Sequence, residues 1–164
     1  MKELSTMYPK NKKELYTIVH AQLNALLEGE TEVIPNLANT SALLGQALWE
    51  INWVGFYLMK QGELLLGPFQ GKPACIHIPV GRGVCGTAVS EGRTLVVPDV
   101  HAFPGHIACD SASRSEIVVP IRRKEQIIGV LDIDSPIPGR FDEEDRIGLE
   151  GLVRILEAAC LWEE

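Results

Sequence analysis

The sequence lacks an apolar run long enough to cross a membrane, and its first residues, MKELSTMYPKNKKE, contain no hydrophobic signal core. It also lacks an excess of positive charge: 15 Lys and Arg stand against 22 Asp and Glu, for a net charge of −7. These absences argue against nucleic acid or an anionic membrane as a partner. We therefore expect a cytoplasmic protein.

Cysteine is scarce, with four residues, and no Cys-x-x-Cys motif is present. The side chains that could bind zinc are Cys75, His77, His101, His106 and Cys109. Their spacing fits no pair of ligand pairs, so we expect neither a metal nor another cofactor. A cysteine hydrolase is an alternative, because three of these residues are histidines and each could act as the partner of a nucleophilic thiol.

Linkers, repeats and low-complexity segments are also missing, which predicts a single domain over residues 1–164. Apolar residues at helical spacing predict helices from Asn11 to Glu28 and from near Ile34, and a last helix after GRFDEED with acidic residues in its first turn. A short helix opened by glycines is predicted in GRGVCGTAVSEG, ending at Gly92.

Strands are predicted in WVGFYLMKQGELLLG, CIHIPV, TLVVPDV and EIVVPIRRKEQIIGVLDIDS. The pattern indicates an α+β fold, with one largely antiparallel sheet of five or six strands and the N- and C-terminal helices packed on it. Residues 98–113 form a long irregular segment, and loops of that length in compact domains are usually functional or disordered.

Two carboxylates occur in the predicted strand VLDIDSP. Side chains alternate along a strand, so Val130, Asp132 and Asp134 share one face. Buried carboxylates are costly unless they are solvated or paired. The pattern is therefore typical either of an exposed sheet edge or of a polar pocket that holds an ammonium group, as an amino-acid substrate would provide.

Aromatic residues flank a glycine in WVGFY, where Trp53, Gly55 and Tyr57 share a strand face. They form either aromatic core packing or a box for a small apolar group, such as a methyl on sulfur.

The four cysteines differ in their surroundings. Cys160 lies on the apolar stripe of the last helix and is expected to be inert. Cys75, Cys85 and Cys109 lie outside that stripe and suggest thiol–disulfide cycling. Cys85 is near a helix start, where the dipole could lower its pKa, whereas Cys109 lies among polar residues in HIACDSASRSE. These residue-level considerations alone do not select the nucleophile.

The run IPVGRGVCGTAVSEGRTLVVPDV followed by SEIVVPIRRKEQIIGVLDIDSP resembles GAF domains. More narrowly, NWVGFYL, GPFQGKPACIHIPVGRGVCGTA, HIACDSASRSEIVVPI and GVLDIDSP resemble the free methionine-(R)-sulfoxide reductase family of stand-alone GAF proteins. The spacing of ten residues from Cys75 to Cys85 and twenty-four from Cys85 to Cys109 also matches.

This resemblance implies reduction of free L-methionine (R)-S-oxide to methionine, with Cys109 as the catalytic thiol. Cys75 and Cys85 are the implied partners for a disulfide that thioredoxin reduces, and their order stays open. By the same resemblance, Glu116 is the acid near the sulfoxide oxygen.

The remaining binding roles also follow from the resemblance. Asp132 and Asp134 hold the ammonium group, and Trp53 and Tyr57 form the wall against the methyl end. From the geometry of the long loop, rather than from a motif, we expect backbone N–H groups around 107–111 to meet the carboxylate. From GAF relatives we expect a homodimer through the terminal helices. The alternative function is a non-catalytic GAF sensor that binds a small ligand.

Overall fold

The structure is a computed structural model that describes residues 8–106 and 111–163. Its helices and strands over these residues are α1 (Lys12–Leu27), α2 (Val33–Ala47), β1 (Trp53–Lys60), β2 (Glu63–Gly71), β3 (His77–Pro79), α3 (Gly83–Glu91), β4 (Leu95–Val97), a 3-10 helix (Val100–Ala102), β5 (Ser115–Arg123), β6 (Gln126–Ser135) and α4 (Glu143–Ala159). The strand predicted in CIHIPV is shorter than expected and begins at His77. In the described part of the chain, no helix is long and apolar enough to span a bilayer.

The six strands form one sheet in the order β3-β2-β1-β6-β5-β4. Every neighbouring pair is antiparallel, which confirms the predicted α+β architecture. Strands β1, β6 and β5 lie at the centre, so VLDIDSP is an interior strand rather than a sheet edge.

Each face of the sheet supports its own apolar cluster. Val54, Phe56 and Leu131 belong to the larger cluster, which also contains the buried residues of α1, α2 and α4. Trp53 and Tyr57 belong to the second cluster, which contains the buried residues of α3. The prediction that the terminal helices pack on the sheet is confirmed, and α3 covers the opposite face.

Side-chain caps fix the N-termini of two helices. The Asn11 side chain accepts a hydrogen bond from the Glu14 backbone N–H at 3.1 Å and starts α1. Asp142 and Asp145 form a reciprocal capping box at the start of α4. Helix α4 therefore begins inside GRFDEED rather than after it, with the predicted acidic residues in its first turn.

Hydrogen bonds order the start of the long segment before β5 and join it to the segment's end. Asp99 caps the 3-10 helix by accepting from the His101 N–H at 3.0 Å, and the Val100 N–H donates to the Arg114 carbonyl at 2.9 Å. Cys109, the thiol that the family resemblance selects, lies outside the described residues.

Candidate active site

A pocket of about 560 Å³, counting the space open to solvent at its mouth, lies between α3 and the central strands. Six of the residues given a catalytic or substrate-binding role line it: Trp53, Tyr57, Cys85, Glu116, Asp132 and Asp134. Cys75 lies at its side, because its carbonyl accepts a 2.9 Å hydrogen bond from the Tyr57 hydroxyl. Strand alternation and register thus bring together residues from four separate segments.

The register of the central strands aligns the acids. Glu116 on β5 is paired with Asp134 on β6, and Asp132 is paired with Val118 on β5 and with Gly55 on β1. Glu116 is 7% exposed and Asp132 6%. The interpretation of Asp132 as part of an exposed edge is therefore wrong, because β6 is an interior strand and the Asp132 side chain is buried on the pocket side, where residues of α3 line the same pocket.

Burial is the first cause of a raised pKa at both Glu116 and Asp132. Desolvation, followed by the charges of Asp132 and Asp134, raises the pKa of Glu116 well above its usual range. Burial also raises the pKa of Asp132, but hydrogen bonds from Glu116 and Cys85 oppose the shift. A protonated Glu116 that donates to the Asp132 carboxylate satisfies both observations, and it gives the pocket a proton donor.

This shift predicts how stability depends on pH. Because folding raises the pKa of Glu116, the native state holds a proton that the unfolded chain releases above about pH 4.3. The contribution of Glu116 is thus fully present below that pH, and it is lost as pH rises through the folded-state pKa. In urea unfolding, the free energy of unfolding of Glu116→Gln should rise relative to that of the wild type as pH increases. The full rise should be about 1.4 kcal/mol for each unit by which folding raises the pKa of Glu116.

The control for this series is Glu91→Gln on the solvent side of α3, where Glu91 pairs with Arg93 at 3.0 Å. It should follow the wild type at every pH. A stability difference between Glu116→Gln and the wild type that does not change with pH would contradict the raised pKa.

A stack of aromatic rings forms one wall of the pocket. The Trp53 ring centroid lies 5.9 Å from that of Tyr57 and 5.2 Å from that of Phe69. The gap predicted at Gly55 is not open to a ligand: a Cβ there would lie 2.3 Å from the Phe69 Cβ. Gly55 makes room for β2 instead, and the wall stands beside it.

Cys85 departs from its predicted character. It is 4% exposed, so it is part of the second apolar cluster rather than outside the core. Desolvation, then the charges of Asp132 and Glu116, raise the pKa of its thiol, which is opposite to the lowering expected from a helix start. The thiol also donates a hydrogen bond to Asp132.

The three described cysteines fall into two classes. Cys75 is half-buried and disulfide-bonded. Cys85 and Cys160 are free thiols. Cys160 is buried at the end of α4, where its sulfur accepts from the Asn36 side chain at 3.6 Å, which confirms a core position.

The histidines considered as zinc ligands do not assemble within the described residues. The exposed His77 ring pairs with Glu63 at 2.6 Å on β3. The His101 and His106 rings contact each other edge-on, with centroids 6.4 Å apart. His106 lines the pocket, whereas the one described group with metal-binding geometry is Cys85, Glu116 and Asp132.

Sequence reasoning missed Arg82, which lines the pocket at the N-cap of α3. It also missed Ser113, whose hydroxyl accepts from the Asn52 side chain at 3.1 Å. The motif GRG, with a guanidinium between two glycines at a helix start, is the signal that could have identified Arg82.

Comparison with known proteins places this pocket in a family. Residues 23–160 match the GAF domain model. The chain is 59% identical over 147 residues to "Free methionine-R-sulfoxide reductase" of Escherichia coli strain K12, covering 90% of this chain and 89% of that protein. The chain belongs to the free methionine-R-sulfoxide reductase family of GAF-domain proteins.

Solved structures agree with this assignment. The reduced form of fRMsr of Staphylococcus aureus is 60% identical, with a TM-score of 0.87, over 92% of this chain and 96% of that one. The free methionine-R-sulfoxide reductase of Neisseria meningitidis, in complex with its substrate, is 48% identical, with a TM-score of 0.88, over 92% of this chain and 90% of that one. Fold and family are thus established on the same residues that build the pocket.

Proposed function

We propose that this protein reduces free L-methionine (R)-S-oxide to L-methionine. The observation that carries the proposal is the buried acid pair Glu116 and Asp132, set beside an aromatic wall in an open pocket. The pair provides both a proton donor and negative charge. A sulfoxide that is also an amino acid requires both.

Substrate binding uses the charge of the strand β6 acids. The Oδ1 atom of Asp132 is buried and has no hydrogen-bond partner among the described residues. An ammonium group would donate to it, and Asp134 lines the same pocket. A methionine within a peptide has no ammonium group and would leave this acid unpaired, which favours the free amino acid.

The aromatic wall receives the methyl end of the substrate. Trp53 is held by a 3.1 Å hydrogen bond from its indole N–H to the Lys72 carbonyl, and Tyr57 by its bond to the Cys75 carbonyl. Both rings are therefore fixed before the substrate enters. A rigid apolar surface binds a thioether better than it binds a polar sulfoxide, so this wall favours formation of the product.

We assign the nucleophile of the reducing step to Cys109, as the family resemblance implies. Its sulfur attacks the sulfoxide sulfur while Glu116 protonates the leaving oxygen. The protonated oxygen passes to the cysteine sulfur as the substrate S–O bond and the transient sulfur–sulfur bond break, and the thiol proton replaces the one that Glu116 gave up. The thiol and the sulfoxide thus become a sulfenic acid and a thioether. The cysteine is oxidised by two electrons and the substrate is reduced by two.

A second thiol then condenses with the sulfenic acid, forming a disulfide and releasing water. The disulfide-bonded state of Cys75 and the buried, high-pKa thiol of Cys85 support Cys75 as this partner. A dithiol protein such as thioredoxin would restore both thiols by exchange. This cycle requires a reducing compartment, so we assign it to the cytoplasm.

Of residues 107–111, whose backbone N–H groups were expected to meet the carboxylate, only residue 111 is among those that the structure describes. Among the described lining residues the guanidinium of Arg82 is the positive group, so the substrate carboxylate would bind near it. We expect Arg82→Gln to raise KM for the free sulfoxide about tenfold with little change in kcat, because the lost charge contributes equally to ground state and transition state. Arg93→Gln, beyond the end of α3, is the matched control and should leave KM unchanged. A fall in kcat at constant KM would contradict a carboxylate-binding role.

The decisive experiment measures methionine release from purified protein with dithiothreitol. Separate reactions contain the free (R)-sulfoxide, the free (S)-sulfoxide and the N-acetylated (R)-sulfoxide. We expect rapid release from the first alone, because the (S)-epimer points its oxygen away from Glu116 and acetylation removes the ammonium charge. Equal rates for the free and acetylated (R)-sulfoxides would refute the ammonium site, and inert protein that binds another small ligand would favour a GAF sensor.

A further inference from the structure

Three metal-ligating side chains converge in the pocket. One donor atom each from Cys85, Glu116 and Asp132 lies within 4.8 Å of the other two. The three residues come from α3, β5 and β6, which pack against one another. Their backbones are therefore held by regular secondary structure, and only side-chain rotation separates the donors from a common centre.

A second observation indicates a missing positive partner at this point. The Asp132 side chain is buried, and its Oδ1 atom has no hydrogen-bond partner among the described residues. A buried carboxylate oxygen without a donor is costly. A cation at the centre of the three donors would satisfy this oxygen and offset the repulsion that arises between the two carboxylates once Glu116 loses its proton.

The donor types determine which cation fits. Thiolate sulfur favours a thiophilic ion over Mg²⁺ or Ca²⁺, which take oxygen ligands. Zinc accepts mixed sulfur and oxygen ligands, at about 2.3 Å from sulfur and about 2.0–2.2 Å from oxygen. Two donors on one zinc ion are thus at most about 4.5 Å apart, which a small side-chain rotation reaches from the present arrangement.

We propose that the reduced protein binds one thiophilic divalent cation of the zinc class through Cys85 Sγ and the carboxylates of Glu116 and Asp132. The three protein ligands leave the fourth position of a tetrahedral ion to water from the open pocket. The thiol and Glu116 release their protons as the ion binds. If the proposed function holds, the ion occupies the acids needed for the substrate ammonium and for proton donation, so it acts as an inhibitor.

The test uses Co²⁺ as a spectroscopic stand-in for zinc, added to protein reduced with a non-thiol reductant. We expect one equivalent to give a sulfur-to-cobalt charge-transfer band in the near ultraviolet and the visible bands of four-coordinate cobalt, both displaced by Zn²⁺. Cys85→Ser should abolish the charge-transfer band. Asp132→Asn should weaken Zn²⁺ binding, measured by calorimetry, by about tenfold or more.

Matched variants separate this site from the other thiols. Cys160→Ser changes a buried cysteine outside the pocket, and Cys75→Ser removes a thiol beside it, so both should keep the band. A band that survives Cys85→Ser, a band lost in Cys75→Ser, or no band with Co²⁺ in excess would overturn the proposal. Asp132→Asn also provides a ligand variant that keeps Cys85, so the test remains decisive if Cys85→Ser fails to fold.

Competition with the amino acid distinguishes this proposal from the proposed function. Saturating free methionine should raise the apparent Kd for Co²⁺, because both ligands need Asp132. If the cobalt spectrum and its dependence on Cys85 are as expected but methionine has no effect on the Kd, the cation site stands and the shared substrate site is refuted.

Discussion

Cys109→Ser should abolish reduction of the free (R)-sulfoxide, lowering the rate by about 10⁵-fold or more, the scale of loss when a catalytic nucleophile is removed. Serine has the same shape but no sulfur to accept the sulfoxide oxygen. Single-turnover release of methionine without added reductant measures this step directly. The wild type should release up to one equivalent before the disulfide stops it.

The remaining cysteines supply the controls for this experiment. Cys75→Ser should still release about one equivalent and accumulate a dimedone-reactive sulfenic acid, because the first step needs no second thiol. Cys160→Ser should behave as the wild type. Methionine release by Cys109→Ser with dimedone label on Cys85 would transfer the nucleophile to Cys85, against its burial and its raised thiol pKa.

Glu116→Gln should lower kcat by about 10² to 10⁴-fold, the usual contribution of a positioned general acid. Glutamine keeps the size and most of the hydrogen bonding of the protonated acid, so substrate binding should change little, and the folding stability of the variant should match that of the wild type where Glu116 is protonated. The wild-type rate should fall as pH rises through the raised pKa of Glu116, because only the protonated acid can donate. The variant should lose this limb of the pH profile.

Glu91→Gln, on the exposed end of the same helix that carries Cys85, should keep both the rate and the profile. Asp132→Asn offers a second comparison, because it removes charge without removing the proton donor and should act mainly on KM. If Glu116→Gln raised KM and left kcat intact, Glu116 would be a binding residue and not the acid.

Much of this fold could be predicted from the periodicity of apolar residues and from the residues that end helices and strands. The alternation in VLDIDSP correctly places Asp132 and Asp134 on one face, and Gly92 ends α3 in the left-handed conformation with φ of 67°. Local patterns report such features because side-chain direction in a strand depends on the strand alone. Strand length at the sheet edge is less predictable, as β3 shows.

Burial of the site residues could not be predicted in the same way. Whether Asp132 faces water depends on β1 and β5, which pair with it from distant parts of the chain. The same holds for Cys85, whose thiol pKa is raised first by burial and then by the acids on β5 and β6. The space beside Gly55 is filled from β2, which no local reading of WVGFY could reveal.

The central sheet separates two kinds of constraint on this chain. Along β1, β5 and β6, successive residues alternate between the helix-covered core, as Phe56, Ile117 and Ile133 do, and the pocket side, as Tyr57, Glu116 and Asp134 do. Residues that are neighbours in the sequence therefore meet different requirements, the packing of the core on one face and the chemistry of the pocket on the other. Repacking beneath α1, α2 and α4 can therefore change the thermal stability of the protein while its turnover is preserved.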